Sequence, residues 1–231
     1  MSLLHEVALR RTEDDWSQFG EGRIISECLD RMGIDEGTAV EFGAGDGIHL
    51  SNTRHLAFRP GWEVVMVESD SDKVVDLHEN YATNPQVLTS YNHVAVDNVN
   101  EVVPADARVV SIDVDGYDYA ILSAMAARPY VLCVEHHPMA PIHVAEDFGP
   151  DHGCSAGMLC EWAAGNDYLP VAMTHCNTIM VPARFADAFG DVETDPRIMF
   201  DPSAVTWVLS NVRTGDYEIR GPWPFGRGVG A

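Results

Sequence analysis

Between residues 38 and 181, short β-branched apolar runs alternate with stretches whose apolar positions recur at helical spacing. The runs are TAVEF, WEVVMVE, YNHVAV, ARVVSID, YVLCVEH, LPVAMTH and TIMVP. Runs of this kind, bounded by Gly, Pro, Asp or Asn, read as strands, and their alternation with helices is the mark of repeated βα units in a largely parallel sheet. The intervening patterns predict helices near 49–58, 70–80, 117–127 and 155–165, with a further helix near 17–32 ahead of the first strand. The first five runs are separated by helix-sized connections. THCNTIMVP leaves only a few residues between its two apolar runs, so the last pair is expected to be an antiparallel hairpin. The predicted class is α/β, mostly parallel with a C-terminal antiparallel hairpin.

Past Pro182 the pattern breaks up. Prolines and turn residues interrupt Trp207, Trp223 and Phe225, which are too apolar for a free tail. A chain of 231 residues suits one domain. We expect a core over about 20–190, with 191–231 a tail packed on it.

Composition narrows the partners. With 14 Lys plus Arg against 36 Asp plus Glu, the net charge is −22 and the pI about 4.5. A surface so acidic repels phosphate backbones and anionic lipid headgroups, so neither nucleic acid nor a membrane is an expected partner. No apolar run approaches the ~18 residues of a transmembrane helix. Lys73 is the sole lysine and follows Asp72, so no Walker A loop is possible, and its polar surroundings suit a Schiff base poorly. Five cysteines without a CxxC pair, and no signal-peptide pattern, point to reduced thiols in a cytoplasm.

Three sequence features carry candidate chemistry. The first strand runs into Glu41-Phe42-Gly43-Ala44-Gly45-Asp46-Gly47, a glycine-rich turn that lets backbone approach a ligand closely. The second ends at Glu68, 21 residues after Gly47, where a carboxylate can accept both hydroxyls of a ribose. The spacing is GxGxG. The third glycine of the dinucleotide pattern GxGxxG would fall at Ile48, which makes a nicotinamide oxidoreductase the weaker nucleoside-binding reading. Next, Asp113, Asp115 and Asp118 lie between the fourth strand and a helix, where they either face a crevice or cap that helix. Finally, the fifth strand ends in Glu135-His136-His137, and histidine suits proton abstraction near neutral pH.

Taken together, EFGAGDGIHLSNT, GWEVVMVESD, VSIDVDGYDYAIL, VLCVEHHP and THCNTIMVP resemble the class I S-adenosylmethionine (SAM)-dependent methyltransferases, and among them the FkbM-like family, over about residues 38–185. The resemblance implies a Rossmann-like, seven-stranded methyltransferase sheet with SAM over the carboxyl ends of strands one to four. By position, Glu41, Gly43, Gly45 and Asp46 would cradle the methionine part, supported by Ser51 and Asn52. Glu68 would hold the ribose, and Asp97 would approach the adenine amine or, alternatively, cap the helix that follows it. Asp113 would lie beside the methyl group as a catalytic residue, with His136 or His137 taking the acceptor's proton. Similarity to metal-dependent O-methyltransferases of the same fold adds a divalent cation, magnesium, on Asp113, Glu135 and His136, though a Glu-His pair shifts preference toward softer metals. The expected acceptor is a small molecule, a hydroxyl on a natural product or sugar. A non-catalytic nucleoside-binding protein is the rival reading.

Overall fold

The computed structural model describes residues 16–150 and 152–200, and beyond them 207–210, 213–214 and 217–220. Helix α1 (Glu21–Met32) buries Ile24, Ile25, Cys28 and Leu29 along one face and stops at Gly33, whose left-handed φ of 67° lets its N–H turn back to Asp30 O and Leu29 O. Strand β1 (Gly37–Phe42) follows, then a 3₁₀ turn (Arg54–Phe58), β2 (Trp62–Glu68) and α2 (Ser71–Tyr81). Asp70 caps α2, accepting from the N–H of Asp72 and Lys73. The chain continues through β3 (Val87–Tyr91), a short α3 (Val99–Val102), β4 (Val109–Ile112), α4 (Asp118–Ala124), β5 (Val131–Glu135) and α5 (Ala156–Gly165), the last capped by Ser155. The hairpin β6 (Tyr168–Met173) and β7 (Asn177–Pro182), a 3₁₀ turn (Ala183–Phe189) and α6 (Pro196–Met199) complete the body.

The sheet has seven strands in the order β3-β2-β1-β4-β5-β7-β6. β7 is antiparallel to both its neighbours, and every other pairing is parallel. Period-two alternation sorts the strand side chains into two cores. Ala39, Val109, Val131 and Cys133 face α1 and α2, while Val40, Phe42, Val110, Ile112, Leu132 and Val134 face α4 and α5. Both faces are therefore covered, which is why β4 and β5 read as nearly continuous apolar runs. The order reverses at β1/β4, and it is at such a switch point that the strand ends open a crevice.

Three sequence expectations are corrected. The third strand is VLTSY rather than YNHVAV: an edge strand tolerates polar Thr89 and Ser90, while only Tyr91 of the apolar run is in the strand and only Val94 beyond it is buried. The helix predicted at 49–58 is reduced to the 3₁₀ turn at Arg54–Phe58. Beyond the body, Trp207–Ser210 and Tyr217–Arg220 form an antiparallel two-stranded sheet (β8, β9) that the broken pattern did not predict. The side chain of Trp207, and Trp223 and Phe225 altogether, lie outside the described residues. No helix among the described residues is long and apolar enough to cross a membrane.

Candidate active site

A cavity of about 440 Å³ opens over the carboxyl ends of β1, β2 and β4. Its floor is the glycine-rich turn, and the geometry explains the glycines. Gly43 (φ 66°) passes so close to β4 that a Cβ would stand 1.7 Å from the carbonyl oxygen of Asp113, whereas a Cβ on Gly45 (φ 58°) would meet nothing within 4 Å. The turn is held from beneath by α2. The Tyr81 hydroxyl donates to Gly47 O at 2.6 Å and Asn80 Nδ2 to Asp46 O at 2.9 Å. Asp46 in turn accepts from the N–H of Ile48 and His49 at 2.8 and 2.7 Å.

Glu68 stands at the cavity edge with its carboxylate aimed by backbone donors. Oε2 accepts from Gly45 N–H at 2.7 Å, and Oε1 accepts from Ser69 and Asp70 N–H at 2.7 Å each. Oε2, with one donor, has a second lone-pair site left for a ligand hydroxyl, whereas Oε1 is already filled by its two backbone donors. Lys73, Asn92, His93 and Val94 also line this cavity.

Glu41 does something different from direct cradling. Its buried carboxylate accepts from Ser51 Oγ (2.7 Å), Asn52 N–H (2.6 Å) and Thr53 Oγ1 (2.6 Å). Burial pushes its pKa up, and these donors act against that rise. The clamp also explains the missing helix, because it pulls residues 51–53 onto the end of β1 instead of letting a helix start at residue 49. Asn52 sits behind the cavity wall, its Nδ2 donating to Ser111 Oγ at 3.1 Å.

At the ends of β4 and β5, oxygens of Asp113, Asp115 and Glu135 lie within 4.8 Å of one another. Burial and the neighbouring carboxylates raise the pKa of both Asp113 and Glu135. Asp118 folds the connecting turn by accepting from Val114 and Gly116 N–H, both at 2.9 Å. Asp113 lines the large cavity. Glu135 lines a second one of about 180 Å³, shared with His136, His137 and His152, and Asp115 lines both.

The two histidines part company. His136 is 1% exposed, its Nδ1 is 3.0 Å from Thr178 Oγ1, and burial pushes its pKa down to about 3. It is not among the clustered ligand atoms, so the metal set expected on Asp113, Glu135 and His136 is not assembled; Asp115 stands in its place. Both Glu135 and His136 line the second cavity, but only Glu135 brings a ligand atom to the acid cluster. His137 is half-buried, which lowers its pKa, and its Nδ1 accepts from Met139 N–H at 3.2 Å. That bond requires the neutral tautomer protonated on Nε2.

Asp97 is also corrected. With β3 ending at Tyr91, Asp97 falls six residues beyond the strand end, exposed in the turn before α3 and outside the cavity lining. Asn98, not Asp97, is the residue that precedes that helix. Residues that sequence reasoning passed over include Thr53, Asn80 and Tyr81, whose roles depend on contacts between separate elements. Only the Ser-Asn-Thr run hinted at the first.

No family model matches the chain, and no curated protein does. Solved structures do. A Klebsiella pneumoniae protein assigned as an O-methyltransferase is similar at a TM-score of 0.51 and 12% identity, over 78% of this chain and 86% of that one. The CurJ carbon methyltransferase is similar at 0.50 and 9% identity, over 69% of this chain and 52% of that one. The N-terminal domain of EvdMO1, solved with SAH bound, gives 0.48 and 12% identity over 74% and 81%. The first two likenesses and the strand order define the class: the chain has the Rossmann-like methyltransferase fold.

Proposed function

We propose that this chain is a SAM-dependent methyltransferase acting on a hydroxyl of a small molecule, a natural product or sugar, as the FkbM-like sequence resemblance implies. The observation that carries the reading is the pairing of an open glycine at Gly45 with the Glu68 carboxylate across one cavity at the switch point. A cavity of this size falls within the ~300–1,000 Å³ of small-molecule sites. The residues present fit the cofactor: backbone at Gly45 leaves room where any side chain would intrude, and Glu68 Oε2 offers an acceptor for a ribose hydroxyl. SAM, when bound, supplies an activated methyl group on a sulfonium.

The chain's own tasks are then to orient the acceptor and to receive one proton. Asp113 lines one cavity and Glu135 the other, and the raised pKa of the pair suits a carboxylate there to accept that proton. The neutral His137 offers an Nε2–H to the acceptor oxygen, and Pro138, His152 and Gly153 line the cavity beside it. His136, almost wholly buried and paired with Thr178, supports the end of β5 rather than exchanging protons.

Replacing Glu68 by Ala is expected to weaken SAM binding by about 1.5–3 kcal/mol, the range for hydrogen bonds to a charged group. Calorimetry measures it, and unchanged affinity would remove Glu68 from the ribose role.

A second reading adds a divalent cation on Asp113, Asp115 and Glu135, favoured by their proximity. An all-oxygen set suits magnesium or manganese better than the softer metals expected of a Glu-His pair. Such an ion would lower the pKa of an acceptor hydroxyl. The functional test is methyl transfer from labelled SAM to a panel of hydroxylated small molecules, with and without EDTA. Product formation that falls on chelation and returns with magnesium supports the cation. Full activity after chelation leaves the metal-free carboxyl pair, and binding of SAM without transfer to any acceptor favours the non-catalytic rival.

A further inference from the structure

Three non-glycine residues among those described have a left-handed backbone: Leu50 (φ 62°), Asp115 (φ 56°) and Asp167 (φ 60°). Aspartate tolerates this conformation because its short polar side chain bonds locally, but leucine gains nothing from it and meets the steric penalty in full. A turn that needed only the backbone shape would be served by Gly or Asn at position 50.

The strain at Leu50 is imposed from both sides. Upstream, Asp46 accepts from the N–H of Ile48 and His49 and fixes that turn. Downstream, Ser51, Asn52 and Thr53 are drawn onto the Glu41 carboxylate. Leu50 also forms a parallel bridge to Ser17, whose Oγ accepts from Gly22 N–H at 3.1 Å and so ties the bridge to α1. The outcome is a leucine that is 44% exposed and lines the large cavity instead of joining either core. Strain held by surrounding structure, with an apolar side chain presented to a ligand cavity, is the pattern of a preorganised binding contact.

We infer that Leu50 is a cofactor-contacting residue: its side chain forms an apolar wall of the large cavity and packs on bound SAM or its demethylated product SAH. The inference rests on the cofactor reading above. Covering the remaining exposed part of a leucine is worth about tenfold in affinity.

The test is calorimetric titration of SAH into the wild-type chain and into Leu50→Gly, Leu50→Asn and Leu50→Met, with thermal unfolding of each. Gly and Asn accept the left-handed backbone, so their unfolding midpoints should equal or exceed that of the wild type while SAH binds about tenfold more weakly. Met keeps an apolar side chain and should hold wild-type affinity within about threefold. Wild-type affinity in the Gly and Asn variants, or a loss in Met as large as in Gly, would overturn the Leu50 assignment while the cofactor reading stands. Absence of SAH binding by the wild-type chain would overturn the cofactor reading and this inference with it.

Discussion

Gly45→Val is expected to abolish SAM binding while the protein still folds. At φ 58° a valine is strained, and nothing within 4 Å of the Cβ position opposes it, so the isopropyl group projects into the cavity rather than into packed structure. The Gly45 N–H donates to Glu68 Oε2, so any backbone shift that relieves the strain also disturbs the ribose-facing carboxylate. Left-handed strain costs about 1–2 kcal/mol, enough to lower the unfolding midpoint by a few degrees but not to unfold a domain of this size. Affinity should fall on the order of a hundredfold or more, equivalent to about 3 kcal/mol. Calorimetry and far-UV circular dichroism on one sample check both halves, and SAM bound as tightly as by the wild type would remove this turn from the binding site.

Gly43→Ala should do the reverse, striking the fold first. Its new methyl group would stand 1.7 Å from the Asp113 carbonyl oxygen, a backbone atom that cannot swing aside, and φ at Gly43 is 66°. β1 and β4 would have to part just past the Phe42–Ile112 pair, in the centre of the sheet. Overpacking and left-handed strain together make a loss of about 3 kcal/mol or more. Urea unfolding measures it, and an unchanged midpoint would mean that the two strand ends do not approach as closely as described. The two glycines thus differ in what they permit, a close strand contact at Gly43 and an open cavity at Gly45.

How far such detail was legible depended on whether a residue's role was local. The central strands are legible because burial on both faces leaves nearly continuous apolar runs such as VVSI and VLCV. The closing hairpin was legible from its short connection. At the sheet edge this signal fails. β3 is half polar, the apolar HVAV beyond it is loop, and the misplaced strand carried Asp97 toward a cavity it does not reach. The helix expected from residue 49 was lost to the Glu41 carboxylate, a contact across ten or more residues that no local pattern encodes. The burial of His136 against Thr178 is a contact between β5's end and β7 that its place next to Glu135 does not reveal. The acid cluster is largely legible: Asp113 and Glu135 are expected ligands and Asp115 is expected either at the crevice or as a helix cap, and a left-handed turn at Asp115 decides for the crevice.

The central claim is that the cavity over β1, β2 and β4 is a SAM site, and titration of the wild-type chain with SAM and, separately, with NAD tests it most directly. The account predicts saturable SAM binding at one site per chain, lost in Gly45→Val, with NAD giving no comparable heat. Binding of NAD in place of SAM, or no heat from SAM with a chain shown to be folded, would contradict it.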